Sequence, residues 1–219
     1  RLLDSRLNTT ACLVAAMAPL RQPPRVLINA SAVGYYGTSL ERCFSESSPA
    51  GSDLLAQLCQ RWEATAATVP GGCRLVILRV GIVLGPGGGA LGKMLPVFRL
   101  GFGGPVGSGQ QWMSWIERHD LCRLIATALE DSAFSGAYNA VAPEPTRMGI
   151  FANALGRALG RPSLLPVPGV ILRLLLGDGA RVVLEGQQVL PERLLAQGFQ
   201  FQRPSLNAAL AAATSPGPR

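Results

Sequence analysis

The hydrophobic pattern of the chain is dominated by one stretch, 26–37, which begins as an apolar run with β-branched residues and ends in Tyr35-Tyr36-Gly37. Such a run is typical of a strand that is buried on both faces of a parallel sheet. In open α/β folds, ligands bind beyond the carboxyl ends of the strands. The pattern therefore places Ser31, Tyr35 and Tyr36 where chemistry is expected. A plain core strand followed by a turn is the alternative interpretation.

Further periodic segments alternate between helix and strand. Apolar residues at helical spacing predict a helix over 3–19, Asp53 is predicted to cap a helix over 54–68, and 75–84 is predicted as a second buried strand. This order is the βαβ rhythm of a parallel sheet. The later elements are strands over 112–116 and 136–141 and helices over 120–129, 150–159, 169–176 and 179–185. Residues 211–219 are predicted to form a disordered tail.

Residues 85–110 are rich in glycine, and we predict a loop that either adopts positive φ or approaches a ligand closely. Within this loop, 87–92 fits the pattern G-x-G-x-x-G, but no acidic residue follows about 20 positions later, as a dinucleotide fingerprint requires. Together with Lys93, the same residues resemble a P-loop, but Met94 has no hydroxyl to offer to Mg²⁺. Neither nucleotide-binding motif is complete.

Composition and charge indicate which kinds of protein and partner are expected. The 219 residues are enough for one large domain or for one domain plus a smaller lobe, and a composition of 48% hydrophobic and only 15% charged residues allows a sizeable core. The net charge of +7 is carried almost entirely by arginines that are scattered without a basic run, so a nucleic-acid partner is not expected. No uninterrupted apolar run reaches the roughly 18 residues of a membrane span, so no membrane partner is expected either.

The five cysteines are odd in number and lack CxxC spacing, and a single histidine leaves no zinc pattern, so no metal is predicted. We predict that the cysteines are small buried residues of a cytoplasmic protein, because the cytoplasm keeps thiols reduced. The chain opens on Arg1 in a helical pattern without an initiator Met. This favours a fragment whose N-terminal portion lies upstream.

Ser31 and the following tyrosines suggest proton transfer beside a nicotinamide. The usual arrangement pairs a hydroxyl with a Tyr whose pKa is lowered by a Lys four residues further on. Here the sole lysine is Lys93, and Gly89 stands four residues before it, so that dyad cannot form. Any reaction must therefore use another acid, which could be Tyr35, Tyr36 or a residue missing from this chain. We take Ser31 and Tyr35 as the catalytic candidates. Core packing with a satisfied hydroxyl is the alternative for the tyrosines.

Several segments carry a resemblance to a known family. They are Ser5-Arg6 with Thr9-Thr10, SAVGYYG (31–37), LCQRWE (58–63), the long segment 79–121, GAYNAVAPEP (136–145) and LEGQQVLPERLLAQGFQFQRPSL (184–206). Together they resemble the C-terminal two thirds of an atypical short-chain dehydrogenase/reductase. More specifically, they resemble the NAD-dependent epimerase-like family with a C-terminal DUF1731 domain.

The resemblance implies a Rossmann-like parallel sheet whose first βαβ unit, with its phosphate-binding glycines, lies upstream of Arg1. It implies a cofactor-binding part over 1–100, an α+β substrate-side lobe over 101–161 and a DUF1731-like segment over 162–210, followed by the tail. The implied cofactor is NADP or NAD. The implied partner is a small-molecule substrate, and a homodimer is compatible with the family.

The resemblance also implies roles for individual residues. Cofactor contacts are implied for Arg6, Ala30, Ser31, Gly81 and Val83. Substrate contacts are implied for Tyr36, Gln111 and Trp112.

The sequence departs from the wider superfamily in its acid–base residues. The usual Tyr-x-x-x-Lys aligns with Leu55 and Cys59 when Glu63 is placed on the Glu that often follows, and the usual catalytic hydroxyl falls on Ala32 rather than Ser31. Two hypotheses therefore remain. The first is an NADP-linked oxidoreductase or epimerase-type enzyme, and the second is a dinucleotide-binding regulatory protein without turnover.

Overall fold

The computed structural model describes residues 2–165 and 185–215. Its helices are α1 (Leu2–Met17), α2 (Leu54–Ala66), α3 (Gly89–Arg99), α4 (Arg118–Glu130), α5 (Met148–Ala158), α6 (Glu192–Ala196) and α7 (Leu206–Thr214). Its strands are β1 (Val26–Ala32), β2 (Cys43–Phe44), β3 (Arg74–Val80), β4 (Ile82–Leu84), β5 (Trp112–Met113), β6 (Trp115–Glu117), β7 (Gly136–Ala140), β8 (Thr146–Arg147) and β9 (Gln188–Val189). The helices predicted over 169–176 and 179–185 lie outside the described residues, apart from residue 185.

A parallel sheet in the order β1-β3-β7 forms the centre of the fold. This confirms the predicted α/β class with a Rossmann-like parallel sheet. The register places Ser31 opposite Arg79, and Arg79 opposite Asn139, so that these three side chains share one face of the sheet. A 3₁₀ turn, Val33–Tyr36, follows β1 directly and lies at the carboxyl edge of the sheet.

Gly81 divides the predicted strand 75–84 into β3 and β4. The chain changes partner at this point, because the Gly81 amide donates to Ala140 on β7 and the Ile82 amide donates to Ser114, next to β6. A Cβ atom at position 81 would lie 2.5 Å from the Ser114 carbonyl oxygen. Glycine therefore allows the close backbone approach that joins the central sheet to the β4–β6 pair.

Two of the three apolar clusters among the described residues hold the layers together. One lies between the sheet and α4, around Leu78, Leu124 and Tyr138. The other joins α3 to α5 and α7 through residues that include Leu91 and Phe151. Helix α3 thus shares a core with elements beyond residue 100, and the domain boundaries at 100 and 161 stay predictions. None of the described helices is both long enough and apolar enough to cross a membrane.

The prediction of a loop over 85–110 is wrong for the central part of this segment, which forms α3. Leu91, Leu95 and Phe98 recur at helical spacing and are all buried. Their packing against the second cluster outweighs the weak helix propensity of the glycines around them and of Pro96 inside the helix.

The predicted tail and the predicted start of one helix also need correction. Residues 211–214 belong to the last turns of α7 rather than to a disordered tail, because Ser205 caps this helix and Ala213 is buried against its neighbours. Helix α4 begins at Arg118, ahead of the predicted Asp120, because the Glu117 side chain accepts the first amide hydrogens.

The prediction that the cysteines are buried is wrong for most of them. Only Cys59 is buried and Cys73 is half-buried, whereas Cys12, Cys43 and Cys122 are exposed. The exposed thiols lie on α1, β2 and α4, where their side chains point away from the core.

Candidate functional site

The three strands of the central sheet carry a row of polar residues near their carboxyl ends. Ser31, Arg79 and Asn139 face the same side of the sheet, and all three are buried. Buried polar groups of this kind must find hydrogen-bonding partners, and a buried cation must find a counter-charge. Those partners come from α2, from the 3₁₀ turn and from the Leu190 carbonyl.

Glu63 of α2 supplies the counter-charge. Its carboxylate accepts hydrogen bonds from Arg79 Nε at 2.9 Å, from Arg79 Nη2 at 2.8 Å and from the Ser31 hydroxyl at 2.7 Å. Burial acts to lower the pKa of Arg79, but its hydrogen bonds to Glu63 and its electrostatic interactions with Tyr36 and Glu63 act more strongly, so the pKa is raised overall. Arg79 therefore stays a cation, held by a two-pronged contact that fixes the plane of its guanidinium.

Tyr36 completes the buried network. Its hydroxyl accepts a hydrogen bond from Arg79 Nη1 at 2.9 Å and donates one to Asn139 Oδ1 at 2.7 Å. Its ring stacks on Phe44, with the ring centroids 5.3 Å apart. Burial raises the pKa of Tyr36 above its ordinary value of 10.0, so the phenol stays protonated near neutral pH.

Tyr35 is the tyrosine that remains open to solvent. It is half-buried, and Arg79 Cζ lies 3.4 Å from its ring centroid, so the guanidinium covers one face of the ring. The Tyr35 and Tyr36 rings meet edge to face at 5.2 Å. The Tyr35 hydroxyl makes no hydrogen bond to any residue in the described part of the chain. The site thus presents one rigidly mounted phenol with an available hydroxyl.

Comparison with known proteins identifies the family. The sequence model of the NAD dependent epimerase/dehydratase family matches residues 1–141, and that of DUF1731, a domain of unknown function, matches residues 167–213. The chain belongs to the NAD dependent epimerase/dehydratase family. The DUF1731 match confirms the resemblance that the sequence showed.

Relatives within this family have similar sequences over nearly the whole chain. The mouse epimerase family protein SDR39U1 is 46% identical over 211 residues, which are 95% of this chain and 72% of that protein. The chloroplastic SDR39U1 homolog of Arabidopsis thaliana is 48% identical over 210 residues, which are 95% of this chain. The chain spans only 60% of the length of that plant relative.

Solved structures agree with this assignment. A crystal structure of human epimerase family protein SDR39U1 (isoform 2) with NADPH superposes with a TM-score of 0.93 at 42% identity, and the match covers 96% of this chain and 72% of that one. UDP-glucose 4-epimerase of Thermus thermophilus, at a TM-score of 0.68 and 21% identity, shares the fold. The Rossmann-like fold of this epimerase-family chain therefore rests on both the sequence and the backbone.

Two positions of this epimerase-family member, at which the resemblance led us to expect Tyr and Lys, carry no acid–base group. Leu55 lies beneath the 3₁₀ turn, with its Cβ 3.6 Å from a Cβ atom placed on Gly34. Cys59 is buried one helical turn before Glu63, and its burial raises the pKa of the thiol. Neither residue supplies a charged or readily ionised group near neutral pH.

The residues implied as cofactor contacts fall into different environments. Ser31 is buried and donates its hydroxyl to Glu63, whereas Ala30 is exposed on the opposite face of β1. Gly81 is a point of close packing between strands. Val83 is half-buried against the core of the sheet. Arg6 lies on α1 over the Trp62 ring, 5.5 Å from its centroid.

The residues implied as substrate contacts do not form one cluster. Tyr36 lies inside the Arg79 network. Trp112 is the first residue of β5, and Gln111 directly precedes that strand. Gln111 is buried and donates from Nε2 to the Val106 carbonyl at 2.9 Å. The half-buried Trp112 has Arg147 over its ring at 3.9 Å and donates to the Leu40 carbonyl. Trp112 is therefore the more accessible of the two.

The sequence reasoning missed Glu63, Arg79 and Asn139 as parts of the site. A signal was present, because Arg79 interrupts the apolar run LVILRVGIVL, and a charge within a buried strand requires a buried partner. The sequence contained no comparable signal for the partner itself.

Proposed function

We propose that this chain forms part of an NADP-dependent protein of epimerase or oxidoreductase type, in which Tyr35 contacts a small molecule beside the nicotinamide. One observation carries this proposal. Of the three hydroxyls at the carboxyl end of β1, those of Ser31 and Tyr36 are buried and engaged, while that of Tyr35 has no partner among the described residues. The NADPH in the structure of the human relative supports the choice of cofactor.

The residues at this edge fit a nicotinamide. Ala30 is exposed and presents only a methyl group, so that a planar ring can approach the end of β1. The half-buried ring of Tyr35 lies in the 3₁₀ turn that follows the same strand, on the side where Arg79 covers it, and offers an aromatic edge there. NADPH would supply a hydride when bound. The protein would contribute orientation and hydrogen bonds.

In this proposal, individual residues of the chain have the following roles. Glu63 and Arg79 hold the Tyr35 ring, and the Tyr35 hydroxyl hydrogen-bonds to a polar group of the small molecule. Ser31 acts through Glu63 as a positioning residue. Trp112, backed by Arg147, forms a wall on the substrate side, and Gln111 holds the loop that leads into that wall.

The test is an NADPH titration of the whole protein as its gene encodes it, followed by a metabolite screen that measures oxidation of NADPH by absorbance and epimerisation of each compound by chromatography. Tyr35→Phe is expected to abolish or strongly slow any turnover while leaving NADPH affinity within about threefold, a difference of less than 1 kcal/mol. Tyr36→Phe, which removes a buried hydroxyl instead, is the matched control for stability. Undiminished turnover in Tyr35→Phe would exclude the proposed role.

A second candidate is a dinucleotide-binding regulatory protein without turnover. The absence of an acid–base group at Leu55 and Cys59 favours it. NADPH binding with neither oxidation of NADPH nor epimerisation of any compound in the screen would select this candidate, and a whole protein that binds no dinucleotide would exclude both.

The remaining expectations stay predictions. A homodimer is proposed from the family alone, and size measurement in solution tests it. The cytoplasmic location is also a prediction. The plant relative is named as chloroplastic.

A further inference from the structure

Segment 185–190 lies between the loop that follows the 3₁₀ turn and strand β5. It falls within the residues that match the DUF1731 model. On one side, β9 pairs in parallel with β2. On the other side, the segment contacts the backbone around Trp112 and the side chain of Ser114. A segment far along the chain thus joins two regions near the site.

Ser114 anchors this segment. Its hydroxyl donates to the Gln187 carbonyl at 2.8 Å and accepts from the Val189 amide at 3.0 Å. Ser114 is buried, and its own carbonyl accepts from Ile82 where β3 passes into β4. A single side chain therefore ties the segment to the junction of the two sheets.

Gly186 brings the backbone of the segment against β5. A Cβ atom at this position would overlap the carbonyl oxygen of Trp112, so a side chain does not fit without displacement of the segment. The Gly186 carbonyl accepts a hydrogen bond from the Ser39 amide at 2.9 Å. The loop after the 3₁₀ turn is fastened to β5 through this glycine.

Leu190 connects the segment to Tyr36. Its carbonyl accepts from Asn139 Nδ2 at 2.9 Å, and its amide donates to the Phe44 carbonyl at 2.9 Å. Asn139 Oδ1 accepts a hydrogen bond from the Tyr36 hydroxyl, and Phe44 stacks on the Tyr36 ring. Both groups that hold Tyr36 from this side are therefore held in turn by the backbone of Leu190.

We propose that segment 185–190 is the positioning element of the site, and that it fixes the Tyr35–Tyr36 turn through Asn139 and Phe44. This gives the DUF1731-matched segment a role: it orients the residue that contacts the ligand. Asn139 is a positioning residue in this scheme. The consequence for ligand binding rests on the proposed function, whereas the mechanical coupling does not.

Hydrogen exchange of the whole protein, followed by mass spectrometry, tests the coupling. Ser114→Ala removes both hydrogen bonds to the segment, and we expect exchange at 33–37 and 186–190 to rise by roughly tenfold or more while α5 is unchanged. Ser114→Thr retains the hydroxyl and should restore protection. The matched control is Ser163→Ala, which removes a buried hydroxyl bonded to Asn153 at 3.0 Å, away from the segment.

Unchanged exchange at 33–37 in Ser114→Ala would overturn the proposal, and so would an equal rise in α5.

If Ser114→Ala does not fold, Tyr36→Phe tests the coupling from the other end, because it keeps the ring and removes only the hydroxyl that donates a hydrogen bond to Asn139. Exchange at 186–190 should then rise, and its constancy would overturn the coupling. An NADPH titration of the same samples keeps the two questions apart: a wild-type protein that binds no NADPH refutes the proposed function and leaves the exchange result standing.

Discussion

Replacement of Glu63 by glutamine is expected to lower the free energy of unfolding by about 3–5 kcal/mol. The carboxylate accepts three hydrogen bonds, two from Arg79 and one from Ser31, and the side chains of Glu63 and Arg79 are only 10% and 6% exposed. The introduced amide would keep one acceptor oxygen but would turn an N–H donor toward the guanidinium. Arg79 would then be a buried cation without a counter-charge, which is among the most destabilising changes in a folded protein.

This loss is a large fraction of the total free energy of unfolding, which is usually about 5–15 kcal/mol for a domain. The assay is urea unfolding followed by tryptophan fluorescence, in which a lower midpoint at an unchanged m-value reports a true loss of stability. Glu130→Gln, at an exposed position in the last turn of α4, is the control and should change stability by less than about 0.5 kcal/mol.

A double variant that removes both charges tests whether the loss in Glu63→Gln comes from the unpaired charge of Arg79. Glu63→Leu combined with Arg79→Met should recover part of the loss, because apolar residues of similar volume replace a buried ion pair at little cost, although the buried Ser31 hydroxyl loses its acceptor. A loss below about 1 kcal/mol in Glu63→Gln would refute the reasoning. So would a double variant as unstable as the sum of its single changes, because the charges would then not be coupled.

Three further predictions follow from the same contacts. Burial raises the pKa values of Cys59 and Tyr36 above their ordinary 9.0 and 10.0, so the folded state keeps these protons longer than the unfolded state, and stability should fall as pH rises above about 9. Urea midpoints across this range should show a shallower fall in Tyr36→Phe, and an equally steep fall in that variant would remove Tyr36 as a cause. Gly81→Ala should lower the free energy of unfolding by about 2 kcal/mol or more, because the new methyl group meets the Ser114 carbonyl, and a thermal melt with an unchanged midpoint would contradict this. A thiol reagent with peptide mass spectrometry should label Cys12, Cys43 and Cys122 in the folded protein and Cys59 only after unfolding, and early labelling of Cys59 would contradict its burial on α2.

Local pattern was sufficient for most of the framework. The buried strand predicted at the start of the stretch 26–37 is β1 at Val26–Ala32, and Asp53 caps α2 through the Ala56 amide as predicted. These features depend on residues close together in the sequence, where side-chain period and capping chemistry act directly. The family could also be predicted, because its motifs are contiguous. Helix α3 could not, since its stability comes from packing against α5 and α7 rather than from its own glycine-rich sequence.

Tertiary structure alone decided which polar residues meet. Tyr36 and Asn139 are 103 residues apart, and Ser31 and Glu63 are 32 apart, yet the sheet register and the packing of α2 bring these pairs within hydrogen-bonding distance. A sequence pattern specifies which face of a strand is buried but not which distant side chain lies opposite. The sequence by itself therefore placed Ser31, Tyr35 and Tyr36 at a strand end. The fold decided that Ser31 and Tyr36 are engaged inside the protein and that the Tyr35 hydroxyl remains available.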